Sequence, residues 1–384
     1  MMNYKSTVDC RRSTVHSQYP MTNDKMTNDK TDILELLKTT VEKGASDLHL
    51  TAGSPPMVRI FGDLTPVGRK KLSPEDTREM AMSILSAKQK EVFEQNRSID
   101  LAYSLDGACR QAGRFRVNAF YQRGRVSVAF RRLSDEFLTL EELCLPSTLY
   151  NLAQLRDGLV LVTGPTGSGK TTTLASLLDM INQTRPCHII TIEDPIEYVH
   201  EHKKAIVNQR ELYSDVASFG EALRYAVRED PDVILVGEMR DLDTMRTAIM
   251  AAETGHLVFS TLHSRDAVST INRAIGVFPI DEQQLIRQQL SMTLKAVVSQ
   301  RLLRRSDTPG LVPAVEVMIV TSAISNLIRT GKDEQIYSAI ETGGVLGMQT
   351  MEESLCTLCR AGKIAREAAL KTAKSVRLVE HRLR

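Results

Sequence analysis

Residues 164–171 read Gly-Pro-Thr-Gly-Ser-Gly-Lys-Thr, which is the spacing of a phosphate-binding P-loop. Its glycines let the backbone curl so that successive N–H groups point inward at phosphate oxygens. The amine of Lys170 is expected to reach the terminal phosphates, and the hydroxyl of Thr171 to bind Mg²⁺. We therefore predict a nucleotide site formed by Gly164, Pro165, Thr166, Gly167, Ser168, Gly169, Lys170, Thr171 and Thr172.

The residues on either side predict the elements that must position this loop. Residues 159–162 form an apolar run typical of a buried parallel strand. After the loop, apolar residues recur at helical spacing, at Leu174, Leu177, Leu178 and Ile181. A bound phosphate would thus lie at a helix N-terminus, where it is favoured. A chance match in a glycine-rich turn is the alternative, and this context argues against it.

Four apolar runs predict a parallel sheet around the loop, at 158–163, 188–192, 232–236 and 256–262. Ligands of such sheets lie beyond the carboxyl ends of the strands. Hydrolysis of a nucleoside triphosphate needs a metal on the phosphates, an aligned water and positive charge. Glu238 follows the third run, so we predict a metal or water role for it. His263 ends the fourth, either as a structural histidine or as a γ-phosphate sensor.

Residues 31–135 predict a separate α+β domain. Ser73 begins a helix expected to run to about Gln95, and short alternating runs follow at 99–105, 113–121 and 126–132. In the middle run arginines alternate with apolar residues, so they lie on one face of a strand. A solvated polar face is one interpretation. In the other interpretation, arginines of this domain direct positive charge toward the nucleotide. The candidate residues are Arg114, Arg116, Arg125 and Arg131.

Length and composition indicate two or three globular domains in 384 residues. We expect a disordered segment at 1–30, the α+β domain at 31–135, a linker at 136–150, a P-loop domain at 151–305 and a helical domain at 306–384. With 49 basic and 47 acidic residues the net charge is only +2. The sequence contains no apolar run of membrane-spanning length and no signal peptide, so a cytoplasmic protein without a membrane span is expected.

Three longer segments carry a family resemblance: 190–197, 230–241 (DPDVILVGEMRD) and 255–263 (GHLVFSTLH). The chain resembles the secretion ATPases of type IV pili over residues 31–375. Segments 207–211, 323–329 and 347–351 are most similar to the retraction motors of that family. The resemblance implies an α/β fold, a RecA-like P-loop ATPase domain with a smaller PAS-like α+β N-terminal domain and a helical C-terminal region.

The resemblance also implies roles for single residues in Mg²⁺-dependent hydrolysis of ATP. Lys170 and Thr171 hold phosphate and Mg²⁺, while Glu193 and Glu238 share metal positioning and activation of water. Which glutamate does which is left open. His256 and His263 form a histidine pair, and Arg210 is an interfacial or sensor arginine.

At the level of the cell, the resemblance implies a homohexamer that powers pilus retraction and twitching motility by depolymerising the pilus. Its partners would be an inner-membrane platform protein and a paralogous retraction ATPase, at the cytoplasmic face of the inner membrane. An accessory retraction ATPase and a pilus-extension or type II secretion ATPase remain alternatives. The balanced charge and the absence of Trp argue against a nucleic-acid translocase. Intact P-loop and acidic residues argue against a non-catalytic regulator.

Overall fold

The computed structural model describes residues 32–60, 62–105, 113–133 and 136–384. The disorder expected for residues 1–30 lies outside these ranges. Within the described residues, two sheets organise the chain, and each is covered by its own helices.

The first sheet forms the centre of the N-terminal region and is antiparallel throughout. Its order is β3-β2-β1-β6-β5-β4. Phe115 and Val117 are completely buried in its core, whereas the arginines alternating with them lie on the other face, as the period of two predicts. In the described part of this region the strands are β1 (Asp47–Thr51), β2 (Met57–Ile60), β3 (Asp63–Pro66), β4 (Ser98–Ser104), β5 (Arg114–Gln122) and β6 (Arg125–Arg132).

The helices of this region are α1 (Ile33–Glu42), α2 (Pro74–Ser83) and α3 (Ala87–Asn96). The prediction of one continuous helix from Ser73 to about Gln95 is wrong. Ser86 interrupts it, because its hydroxyl accepts from the backbone N–H of Gln89 while the Gln89 side chain accepts from the Ser86 N–H. This reciprocal capping starts a second helix.

The second sheet has the order β13-β12-β7-β11-β10-β8-β9, and all its strands are parallel except β13. Strands β7, β8, β10 and β11 confirm the four predicted runs. The strands described in this sheet are β7 (Gly158–Thr163), β8 (His188–Glu193), β9 (Ile206–Glu211), β10 (Val233–Val236), β11 (Leu257–Leu262), β12 (Leu294–Arg304) and β13 (Leu311–Ile319).

Helices cover both faces of this sheet, and their apolar sides form two large clusters of buried side chains. In the described residues they are α4 (Thr148–Gln154), α5 (Lys170–Thr184), α6 (Phe219–Ala226), α7 (Leu242–Glu253), α8 (Ala267–Gly276) and α9 (Gln283–Thr293), followed by α10 (Ser322–Thr330), α11 (Ile336–Thr342), α12 (Met351–Arg360), α13 (Arg366–Thr372) and α14 (Val376–Arg382), with 3₁₀ turns at Asp333–Gln335 and Gly344–Leu346.

The expectation that the chain turns helical past about residue 305 needs one correction. Residues 311–319 form strand β13, which pairs antiparallel with β12 and extends the second sheet. Val312, Ala314, Val315 and Val317 are all buried, because helices cover both faces of this strand. A strand buried on both faces lacks the alternation by which strands are recognised.

Among the described residues, no helix has the length and apolarity needed to cross a membrane.

Candidate active site

The P-loop joins the end of β7 to the start of α5, as predicted. Gly164, Gly167 and Gly169 have φ values of 145°, 75° and 87°, in the region that favours glycine. A Cβ atom on Gly164 would collide with the carbonyl oxygen of Gln300 on β12. The loop is therefore packed tightly from behind and keeps its concave side toward the cleft.

The polar groups of the loop fit a phosphate ligand. Lys170 Nζ donates to the carbonyl oxygens of Gly164 (3.0 Å) and Pro165 (3.1 Å). Burial lowers the pKa of Lys170, while the charges of Glu238 and Glu197 act in the opposite direction. Ser168 Oγ is buried and has no hydrogen-bond partner within the described residues. A phosphate oxygen would satisfy this hydroxyl, since buried polar atoms rarely remain unpaired.

A cleft of about 530 Å³ lies between the loop and the N-terminal region. The N-terminal side contributes Arg116, Arg131 and Leu133. The opposite side is formed by residues that follow the carboxyl ends of the parallel strands, as expected for this type of sheet. These include residues 166–172, Glu193, Asp194, Glu197, Glu238, Arg240 and His263.

Glu193 ends β8 and reaches the cleft while being 7% exposed. Its Oε1 accepts from Thr191 Oγ1 (2.6 Å) and from Gln209 Nε2 (3.1 Å). Burial raises the pKa of Glu193 to about 7, and these two hydrogen bonds act against that rise. The carboxyl group is thus held in one orientation and changes its charge near neutral pH.

Glu238 follows β10 and lies beside His263. Its Oε1 is 3.3 Å from His263 Nε2 and also contacts Arg240 Nε. Burial, followed by the charge of Lys170, lowers the pKa of His263, which favours the neutral imidazole. A Cβ on the preceding Gly237 would lie 3.2 Å from the carbonyl oxygen of Ile192, so this position leaves little room for a side chain.

The carboxylates in the cleft do not form a metal cage by themselves. No group of three or more His, Cys, Asp or Glu residues with metal-ligand geometry occurs in the ranges that the structure describes. Mg²⁺ at phosphate sites takes most of its ligands from phosphates and waters, with few from the protein. Thr171, Glu193 and Glu238 line the cleft and suit that mode of binding.

Of the four arginines predicted in the N-terminal region, two line the cleft and two do not. Arg116 and Arg131 line the cleft, where Arg116 Nη1 is 3.7 Å from Glu197 and Arg131 Nε is 3.0 Å from Asp47. Arg114 instead lies in the contact between the two regions. Its Nε donates to the carbonyl oxygen of Ile196 (3.1 Å).

Like Arg114, three other predicted residues outside the P-loop do not line the cleft. Arg125 begins β6, at the far end of that strand from Arg131. Arg210 Nη1 pairs with Glu229 at 3.0 Å. His256 precedes β11 at its amino end, whereas His263 follows its carboxyl end, and His256 Nδ1 lies 2.9 Å from the carbonyl oxygen of Ala251. The strand separates the two histidines, so within one chain they do not act as a pair.

Two residues with evident roles were not singled out from the sequence. Arg240 contacts Glu238, and Gln209 donates to Glu193. Both lie inside segments that carry the family resemblance. The sequence did contain a signal for Gln209. Gln209 and Glu211 alternate on one strand, and the strand before it ends in Glu193.

Comparison with known proteins identifies the family. The family model described as type II/IV secretion system protein matches residues 27–312, about three quarters of the chain. The chain belongs to the type II/IV secretion ATPase family. Its relatives in Pseudomonas aeruginosa include the type IV pilus retraction ATPase PilT, 50% identical over 89% of this chain and 98% of the relative. The type IV pilus ATPase PilU of the same organism is 42% identical over 89% of this chain and 88% of the relative.

A solved structure agrees with this assignment. The crystal structure of the pilus retraction motor PilT with bound ADP has a TM-score of 0.84 to this chain at 48% identity, covering 92% of this chain and all of that one. The predicted α/β class and RecA-like core are confirmed, as is membership of the pilus retraction ATPases. The chain is an ATPase.

Proposed function

We propose that this ATPase hydrolyses ATP in the cleft between its N-terminal region and its P-loop region and thereby powers retraction of type IV pili. One observation carries the proposal. The P-loop, Glu193, Glu238 and His263 converge on a single cleft that arginines of the other region face. Relatives named as pilus retraction proteins support the cellular role.

The chain's own residues account for the chemistry. The P-loop N–H groups and Ser168 hold phosphate oxygens, and Lys170 exchanges its contacts with loop carbonyls for the terminal phosphates. Thr171 with Glu193 or Glu238 would hold Mg²⁺, which would neutralise charge on the phosphates. Glu238 orients the attacking water or receives its proton, and the neutral His263 beside it senses the γ-phosphate.

Positive charge from the N-terminal region completes the site. Arg116 and Arg131 line the cleft but are paired with Glu197 and Asp47. Closure of the two regions around ATP would transfer these guanidinium groups to the phosphates, and release of phosphate would reverse the motion. In a homohexamer at the cytoplasmic face of the inner membrane, that rocking would act on the pilus platform protein. Arg125, Arg210 and His256 are available for contacts between subunits.

Deletion of the gene in the source cell, followed by pilus counting and a twitching assay, tests the cellular role. Excess pili that do not retract, restored by wild type but not by Lys170→Ala, are expected. Absent pili would instead assign the chain to pilus extension.

Because PilU is also similar, the role of an accessory retraction ATPase is a second candidate. Unchanged pilus numbers with impaired motility would favour it.

A further inference from the structure

Strand β9 carries side chains that the chemistry described above does not use. Its Gln209 and Glu211 alternate, so both point to the same side of the strand, toward the segment 194–200 that follows Glu193. Gln209 is half-buried and does not line the cleft. Any influence it has on the reaction must therefore pass through another residue.

The side chain of Gln209 is fully engaged. Its Nε2 donates to Glu193 Oε1 (3.1 Å) and to the carbonyl oxygen of Tyr198 (2.8 Å). Its Oε1 accepts from the backbone N–H of His200 (2.7 Å). Both amide protons and the amide oxygen are thus directed at one short segment, which fixes the plane of the amide and the position of its donor against the carboxylate.

The same segment is fixed from two further directions. Glu211 Oε2 accepts from the Ile196 N–H at 3.1 Å. The Tyr198 hydroxyl lies 3.2 Å from Thr172 Oγ1, one residue beyond the predicted Mg²⁺ ligand Thr171. Gln209 therefore links Glu193 to a hydrogen-bonded network that also includes Thr172 in the first turn of α5.

We propose that Gln209 is a positioning residue that orients the carboxylate of Glu193 toward the bound nucleotide. Thr191 lies on the same strand as Glu193 and donates to the same oxygen, so it moves with that strand. Gln209 supplies the hydrogen bond from a different strand and thereby fixes the rotation of the carboxylate. This inference rests on the proposed hydrolytic role of Glu193.

A double-mutant cycle in the full-length assembled ATPase tests the proposal. Gln209→Met keeps the length of the side chain but cannot donate. Because a hydrogen bond to a charged group is lost, kcat should fall about ten- to a hundredfold. The KM for ATP should change little, since the P-loop is untouched. In the Glu193→Gln background, Gln209→Met should lower the residual single-turnover rate less than about twofold. The carboxylate that Gln209 orients is already absent from that background.

Controls separate this effect from general damage. Asn208→Ala alters the neighbouring exposed residue of the same strand and should leave kcat unchanged. Gln209→Leu also cannot donate and adds no charge beside Glu193, and it serves as the second variant if thermal melting shows that Gln209→Met is unstable. An unchanged kcat in both Gln209 variants, or equal losses in the two backgrounds, would overturn the proposal. Wild-type hydrolysis by Glu193→Gln would instead refute the role assigned to Glu193.

Discussion

At the scale of single residues, burial sets the charge of the groups around the cleft. It lowers the pKa of Lys170 and His263 and raises that of Glu193 to about 7. Each pKa shift destabilises the charged form of that side chain while no nucleotide is bound. A phosphate group and its metal would restore favourable partners, so these groups are arranged for a ligand rather than for the stability of the free chain.

Glu238→Gln tests the assignment of the residue that acts on water. The amide has nearly the same shape but cannot accept a proton or carry the negative charge that favours the charged form of Lys170. We expect kcat to fall about a hundred- to ten-thousandfold while ATP binding is retained. Phosphate release and binding of a fluorescent ATP analogue measure the two effects. The exposed Glu221→Gln is the matched control, and a Glu238→Gln enzyme with normal turnover would contradict the assignment.

At the scale of elements, the contact between β13 and α8 contains a buried carboxyl group. Glu316 is 3% exposed, and it accepts from the Ala267 N–H (2.7 Å) at the start of α8. Burial raises the pKa of Glu316 to about 7, and the nearby Asp266 and Glu352 act in the same direction. The folded chain therefore retains this proton at pH values at which the unfolded chain has lost it.

This retained proton predicts a pH-dependent stability. Between the unfolded pKa of 4.5 and the folded value near 7, the folded state binds more protons, so the free energy of unfolding falls as pH rises. Glu316→Gln keeps an acceptor for Ala267 and removes the titration. From pH 5.5 to pH 8, urea unfolding should show that wild type loses about 2 kcal/mol more than the variant. The exposed Glu334→Gln should behave as wild type, and parallel losses in wild type and Glu316→Gln would contradict the argument.

Elements with strong local signals were predictable, whereas those fixed by tertiary contacts were not. The P-loop, its strand and its helix follow from glycine spacing and periodicity alone. Strand β13 was missed because helices cover both of its faces, which removes the alternation. The break at Ser86 was missed because the polar side chains of Ser86 and Gln89, which form the capping box, could equally lie on the exposed face of a longer helix.

At the scale of the whole molecule, the cleft exists only where the two sheets meet. Glu211 at the end of β9 accepts from the Ala102 N–H (3.4 Å) and lies 3.6 Å from Arg114, so it joins the N-terminal region to the P-loop region. Sequence spacing predicted Glu238 and His263 at one edge of a sheet, and the family resemblance added Glu193. It could not show which arginines of a separate domain reach that edge, because their approach depends on the contact between the regions.

The most direct test of the account is phosphate release by the purified, assembled chain supplied with ATP and Mg²⁺. We expect wild type to hydrolyse ATP and Lys170→Ala to lose nearly all turnover while remaining folded and assembled, because the P-loop lysine is the charge that reaches the terminal phosphates. Equal hydrolysis by the two proteins would contradict the account, since the reaction would then occur outside the cleft described here.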